Sequence, residues 1–344
     1  MPIAGTSDQW VPRGVHVLAA EEADFFLPLR RAYHKFGNRI AQAAARHVVR
    51  RGAEIRNADP AAYARFLAAW RERYVWLDKP SMMNIETDAV RTRAPVDGGA
   101  APIPADWFAP RDSEPQGVVF YVHGGSFIIE RSPRITSLVA RFAAAAEARV
   151  FAPNYRLAPE HPCPAAVEDI VAAYRWYRQR WPDVPVVALA ESAGAAILLA
   201  AMQTIRDAGE ALPRGIMLLS PWVDLSLQSW SVVQAGLAGT SPYTMDLLSA
   251  MVHLYLQGRS AVDPVASPLF GDFSGFPPVL VHASKDDILF DDAVRLADCV
   301  RAAGGNLTVR FWMDETHVWE RMHSVKARQS ISRAADFIRA CLDP

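Results

Sequence analysis

From residue 117 to the C-terminus, short apolar runs alternate with longer segments of helical character, and few architectures accommodate that rhythm. The runs fall at residues 117–122, 149–153, 184–189, 215–219, 279–283 and 308–312. Between and after them, residues 135–147, 164–180, 193–208, 291–303 and 328–342 read as helices. Parallel strands buried on both faces lose the apolar/polar alternation of a half-exposed sheet, and each needs a crossover to reach the next. The pattern therefore predicts an α/β fold, with a mostly parallel central sheet flanked by helices on both faces. A chain of 344 residues can hold one such domain and a smaller appendage.

Two stretches depart from the rhythm. Residues 21–51 and 61–76 look helical, with a break at Asn57-Ala58-Asp59-Pro60. Strand-like texture begins at Asn84, with Val90 and Val96, a turn at Asp97-Gly98-Gly99, and a return strand over 103–108. Later, about sixty residues separate the run ending at Leu219 from the one starting at Val279, including a helix-like 244–256. Connections of that length usually carry function or cover a site. Both extra pieces are rich in aromatic and Met side chains, among them Trp70, Trp76, Met83, Trp230, Met251 and Tyr255. The expected organisation is an N-terminal helical cap region at 1–83 and the α/β domain at 84–344. A cap insertion is expected at about 227–263.

Charge and composition narrow the partners. A formal net charge of −1 gives no electrostatic reason to expect nucleic acid or an anionic membrane surface. No secretory signal is evident in Met1–Trp10, and Arg141 and Glu147 break the most alanine-rich stretch, so no stable membrane insertion is expected. The three cysteines, Cys163, Cys299 and Cys341, are odd in number and lack metal-ligand spacing. A cytoplasmic location with reduced thiols is the simplest reading.

Open α/β sheets place ligands beyond the carboxyl ends of their strands, so the residues following each run carry the chemistry. After 117–122 comes His123-Gly124-Gly125-Ser126-Phe127, whose glycines can turn backbone N–H groups toward one point, as an oxyanion hole requires. The same glycines would also serve an ordinary tight turn. After 184–189 comes Ala190-Glu191-Ser192-Ala193-Gly194, a strand-to-helix turn that can expose the Ser192 hydroxyl and add the Ala193 N–H to the hole. Read blandly, Ser192 would be a helix N-cap. After 279–283, Asp286, Asp287 and Asp291 compete as the acid that orients a histidine, with Asp224 as a distant rival. No paired histidines accompany these acids, so a metal site is not indicated. Of the nine histidines, His317 alone follows a late strand with a serine turn and an acid loop upstream. Four such pieces at four strand ends, in the order serine, acid, histidine, are hard to attribute to accident.

These residues resemble the hormone-sensitive-lipase-like family of α/β-hydrolases, the α/β-hydrolase-3 group of esterases. His123-Gly124-Gly125-Ser126 is similar to that family's His-Gly-Gly-Gly, and Tyr155-Arg156-Leu157-Ala158-Pro159-Glu160-His161-Pro162 to its segment between oxyanion loop and serine. Ser220-Pro221-Trp222-Val223-Asp224-Leu225, Ser267-Pro268-Leu269 and Pro277-Pro278-Val279-Leu280-Val281 look like its later landmarks. The resemblance implies a serine carboxylesterase for short- to medium-chain esters with the triad Ser192, Asp287 and His317. It implies an oxyanion hole among the amides of Gly124, Gly125, Ser126 and Ala193, and no metal or organic cofactor. The family's Asp-x-Leu triplet selects Asp287 over Asp286 and makes Asp224 structural. An α/β-hydrolase fold with a helical cap follows, acting on a small-molecule ester; a homodimer is compatible with the resemblance. A lactone or amide hydrolase could use the same machinery. A non-catalytic ligand-binding member is disfavoured because all three triad residues are present. Three departures stand out: Ser126 for the last glycine, Ala190 for the first glycine of the serine turn, and Glu191 where aspartate is common. A hydroxymethyl at 126 and a methyl at 190 are expected to alter the acyl pocket.

Overall fold

A computed structural model describes residues 15–17, 62, 65, 69, 71, 89–97, 102–111, 115, 117–238 and 245–343. Nine strands form one sheet: β1 Val15–Val17, β2 Ala89–Arg93, β3 Ala105–Pro110, β4 Val118–Val122, β5 Arg149–Pro153, β6 Val186–Glu191, β7 Ile216–Leu219, β8 Val279–Ser284 and β9 Leu307–Trp312. Their order is β1-β9-β8-β7-β6-β4-β5-β3-β2. All pairings are parallel except β2 with β3 and β3 with β5. The antiparallel end follows from the turn after Val96, which a bridge between Val96 and Ile103 brackets.

The helices are α1 Pro133–Ala146, α2 Ala165–Arg180, α3 Ala193–Asp207, α4 Trp230–Ala238, α5 Met245–Leu256, α6 Phe290–Ala302 and α7 Val325–Leu342. On one face of the sheet α1 and α7 bury Leu138, Phe142, Ile331 and Ile338 against Val119, Tyr121, Val187 and Leu189. On the other, α2, α3 and α6 bury Ile170, Tyr174, Ile197, Leu198 and Leu296 against Phe120, Val122, Ala188 and Val281. β4, β6 and β8 are buried throughout, which is why their sequence reads as unbroken apolar runs. Local chemistry sets the helix starts. Ser324 caps α7 by accepting from the Ala327 amide at 3.0 Å, and Ser132 with Pro133 opens α1.

The strand order reverses around β4, since β5 lies on one side of it and β6 on the other. At such a switch point, connections leave for opposite faces and open a crevice at the strands' carboxyl ends. The loops after β4, β6, β8 and β9 all reach this edge.

The predicted strands and helices of the α/β domain coincide with the observed ones to within three residues at either end. The strand β1 had no sequence signal, because three residues are too few for a pattern; it joins β9 and extends the sheet from within 1–83. Of the expected N-terminal helices, 21–51 lies outside the described residues. Within 61–76 the described residues 62, 65, 69 and 71 are helical. The long insertion supplies α4 and α5.

Candidate active site

Ser192 occupies the bend between β6 and α3 with φ 52° and ψ −129°, a conformation a non-glycine residue adopts only when its surroundings enforce it. They do so here. Its N–H donates to the Leu219 carbonyl at 2.9 Å, and its own carbonyl accepts from Trp222 N and Ala195 N. Although Ser192 stands at the N-cap position, its side chain caps nothing. The hydroxyl instead faces His317, with Oγ 2.8 Å from Nε2. Gly194 makes the bend possible, because a Cβ there would lie 2.5 Å from the carbonyl oxygens of Val122 and His123. Ala190 needs no such freedom. It lies in the extended strand β6, fully buried on the α2/α3 side of the sheet. The expectation that its methyl narrows the acyl pocket therefore gives way: the methyl belongs to the core.

His317 Nδ1 lies 2.8 Å from Asp287 Oδ2, and both side chains are almost wholly shielded from solvent. A carboxylate oxygen only accepts, so Nδ1 carries the proton and the Nε2 lone pair is left for the Ser192 hydroxyl. Asp287 Oδ1 accepts from the Leu289 amide at 3.1 Å, which fixes the carboxylate plane. The rival acids are engaged elsewhere. Asp286 accepts from the Asp314 amide and Asp291 from the Ser231 amide, while Asp224 pairs with Arg295 at 2.5 Å. Two serines stitch the histidine loop in place: Ser284 Oγ donates to the Glu315 carbonyl, and the Val318 amide donates to Ser220 Oγ.

The glycine-rich loop after β4 turns through three consecutive left-handed residues, Gly125 (φ 118°), Ser126 (φ 53°) and Phe127 (φ 67°). At Gly125 a Cβ would also meet the Ile129 carbonyl oxygen, 2.4 Å away. This turn leaves the N–H groups of Gly125 and Ser126 without an acceptor among the described residues, and the same holds for Ala193 at the start of α3. Gly124 differs from its neighbours, because its N–H points to Glu191 Oε1 at 3.3 Å. Of the four amides named from the sequence, Gly124 is thus already engaged, and Gly125, Ser126 and Ala193 are left as donors.

Several residues that hold this geometry were given no role by the sequence, though His123, Tyr155 and Glu191 stand in its motifs. His123 stacks on Tyr155 with ring centroids 4.2 Å apart, and its Nδ1 donates to the Gly124 carbonyl at 2.6 Å. Burial lowers its pKa to about 4, so it is neutral. The Tyr155 hydroxyl donates to the His123 carbonyl at 2.8 Å. Glu191 is fully buried and accepts from Tyr121 Oη at 2.8 Å and from Arg321 Nε at 2.9 Å. Burial alone would raise its pKa, but the Arg321 charge and the bonds from Arg321, Tyr121 and Gly124 outweigh it and hold the carboxyl below the usual range. Tyr155 opens the Tyr-Arg-Leu-Ala-Pro-Glu segment, so a signal existed without a role; Tyr121 and Arg321 had none.

Both extra pieces of the chain reach the oxyanion loop. In α5, Tyr255 stacks on Phe127 with centroids 4.0 Å apart, and beyond its end Gln257 donates to the Pro159 carbonyl. Arg71 donates to the carbonyls of Ile128 at 2.7 Å and Ala158 at 2.5 Å, and pairs with Glu160. Among the described residues no cluster of His, Cys, Asp or Glu is suited to a metal ion, and no helix is long and apolar enough to cross a membrane.

A family model described as alpha/beta hydrolase fold matches residues 119–321. An acetyl-hydrolase of Streptomyces hygroscopicus is 37% identical over 238 residues, covering 68% of this chain and 79% of that protein. Among solved structures, an esterase from the bacterial hormone-sensitive lipase family is 30% identical with a TM-score of 0.71, covering 88% of this chain and 98% of that one. The esterase EstE5, soaked with p-nitrophenyl butyrate, is 30% identical with a TM-score of 0.72, covering 81% and 92%.

Proposed function

Because the chain belongs to the hormone-sensitive-lipase-like esterases of the α/β-hydrolase fold and is a carboxylic ester hydrolase, we propose that Ser192, His317 and Asp287 are its catalytic triad. The observation that carries this is the continuous chain from Ser192 Oγ through both imidazole nitrogens to Asp287, each link 2.8 Å long. His317 takes the Ser192 proton as Oγ attacks the ester carbonyl, and Asp287 stabilises the imidazolium that results. The developing oxyanion is met by the amides of Gly125, Ser126 and Ala193, already oriented and without other acceptors among the described residues. His317 then passes its proton to the departing alkoxide. A water activated by the same imidazole releases the acid and restores Ser192.

We further propose that the N-terminal region and the α4–α5 insertion form the cap over this site, supported by the contacts of Arg71 and Tyr255 with the oxyanion loop. Phe127 and Tyr255 then wall the acyl side, and short- to medium-length acyl chains are expected to suit it best. The acetyl-hydrolase relative and the esterase soaked with p-nitrophenyl butyrate agree with that size. A cytoplasmic enzyme without cofactor fits the three free thiols. The test is turnover of p-nitrophenyl esters from acetate to laurate, with Ser192→Ala alongside. The variant is expected to lose at least about a thousandfold in kcat. Near-wild-type hydrolysis by Ser192→Ala would refute the triad, and undiminished turnover of laurate would refute the short acyl preference.

A further inference from the structure

Three loops must keep register for the proposed chemistry: the oxyanion loop, the serine turn and the histidine loop. They come from β4, β6 and β9, and one buried side chain touches all three. Glu191 is the last residue of β6, directly before Ser192, and its backbone is fixed by pairing with Leu219. Its Oε1 receives the Gly124 amide of the oxyanion loop and the Tyr121 hydroxyl of β4. Its Oε2 receives Nε of Arg321, four residues beyond His317. The guanidinium closes the triangle. A Cβ added to Gly124 would lie 3.1 Å from Arg321 Nη2 and 3.1 Å from Ser192 Cβ, so the guanidinium and the Ser192 side chain both lie close to Gly124.

We propose that the Glu191–Arg321 pair is the positioning element that aims the oxyanion-loop amides relative to Ser192, a role that rests on the serine-esterase reading above. Two peptide planes meet at Gly124. Its N–H, in the plane shared with His123, is held by Glu191, while its carbonyl, in the plane that carries the Gly125 N–H, is held by His123 Nδ1. With both planes anchored, the torsions at Gly124 are fixed, and the Gly125 N–H keeps its direction. Releasing the Glu191 clamp loosens the first plane, lets the torsions at Gly124 change and carries the Gly125 donor off target. A buried ion pair is weak evidence for stability, because desolvation offsets most of the attraction. Retaining one between three functional loops is better explained by geometry. The pair touches no reacting atom, so it acts through the amides it holds.

The experiment compares Glu191→Gln and Arg321→Lys with wild type and Ser192→Ala. Glutamine keeps the shape but loses the charge, and lysine keeps the charge but loses the Nε contact. Both are assayed on p-nitrophenyl acetate at a temperature where circular dichroism shows them folded. Affinity for butylboronic acid, which forms a tetrahedral adduct on the serine, is measured beside affinity for the product butyrate. The expected result is a kcat lower by about 10- to 100-fold, a KM within about threefold, boronate binding weakened in step with kcat, and butyrate binding unchanged. If Glu191→Gln does not fold, Arg321→Lys carries the same readout. Variants that melt earlier yet keep wild-type kcat and boronate affinity would overturn the proposal, as would a fall in kcat with boronate affinity intact. An active Ser192→Ala would instead overturn the esterase mechanism itself, whatever the other variants do.

Discussion

Gly194→Ala is the sharpest probe of the serine turn, because one methyl group tests the whole assembly. The ideal Cβ would lie 2.5 Å from two carbonyl oxygens, those of Val122 and His123. An ordinary carbon–oxygen contact needs roughly 3.3 Å, so about 0.8 Å must be recovered by moving backbone rather than a side chain. Neither side yields freely. Val122 is the last residue of a central strand, and the His123 carbonyl is tied to Tyr155. Overpacking of this kind costs about 1–3 kcal/mol, which a domain with about 5–15 kcal/mol of stability survives. Catalysis does not tolerate the same movement. Ser192 lies two residues away and its Oγ must stay 2.8 Å from His317 Nε2. A misplacement near 1 Å costs on the order of a hundredfold in rate. Steady-state kinetics on p-nitrophenyl acetate, with thermal melting, should therefore show a fall of about a hundredfold in kcat/KM and a drop of a few degrees in Tm. Ala190→Gly is the control, since its backbone is extended and its methyl is in the core. It should cost about 1 kcal/mol and little activity. Gly194→Ala with kcat/KM within threefold of wild type would refute the close-approach reasoning.

Asp287→Asn should leave the fold intact and lower kcat by about four orders of magnitude, because an amide no longer secures the histidine tautomer; a loss under tenfold on the same ester would return the role to another acid. Ser126→Gly should stay within about 1 kcal/mol and a few-fold of wild-type activity, as relief of left-handed strain offsets the added chain entropy. Gly125→Ser should be nearly inactive, since its Cβ meets the Ile129 carbonyl oxygen; equal activities of the two variants would contradict the loop geometry. Glu320 gives a pH test. Its carboxyl is wholly buried, and burial pushes its pKa up to about 8. Between the ordinary carboxylate range and that value the folded chain holds a proton the unfolded chain has lost, so stability falls as pH rises through this window. Glu320→Gln removes that dependence, and its Tm relative to wild type should climb between pH 5 and pH 9; parallel melting curves would exclude the effect.

The sheet was legible because its central strands are buried on both faces and announce themselves as unbroken apolar runs. The proposed triad was legible because each member follows such a run. What sequence could not do was choose among neighbours by contact. Asp286 and Asp287 are adjacent, and only the fold sends one to the Asp314 amide and the other to His317. Gly124 and Gly125 look equivalent until Glu191 engages one of them. The Glu191–Arg321 pair spans 130 positions, and no local pattern encodes such a meeting. The mismatch at Ala190 also misleads in one dimension, because a glycine motif does not say which position needs left-handed backbone and which merely tolerates a small residue. In this chain Gly194 carries the steric demand.

The stacking of Tyr255 on Phe127 bears on how such enzymes diversify. Specificity is commonly altered by exchanging the segments above a site while the scaffold below stays constant. That strategy assumes the two are separable modules. Here a single aromatic pair makes α5 a brace of the glycine-rich loop proposed to meet the developing charge, so a graft that replaces this helix is expected to disturb the chemistry beneath it as well. In this chain a flat ring at 255 preserves that brace, and a laboratory exchange of this helix must carry residue 127 along with it.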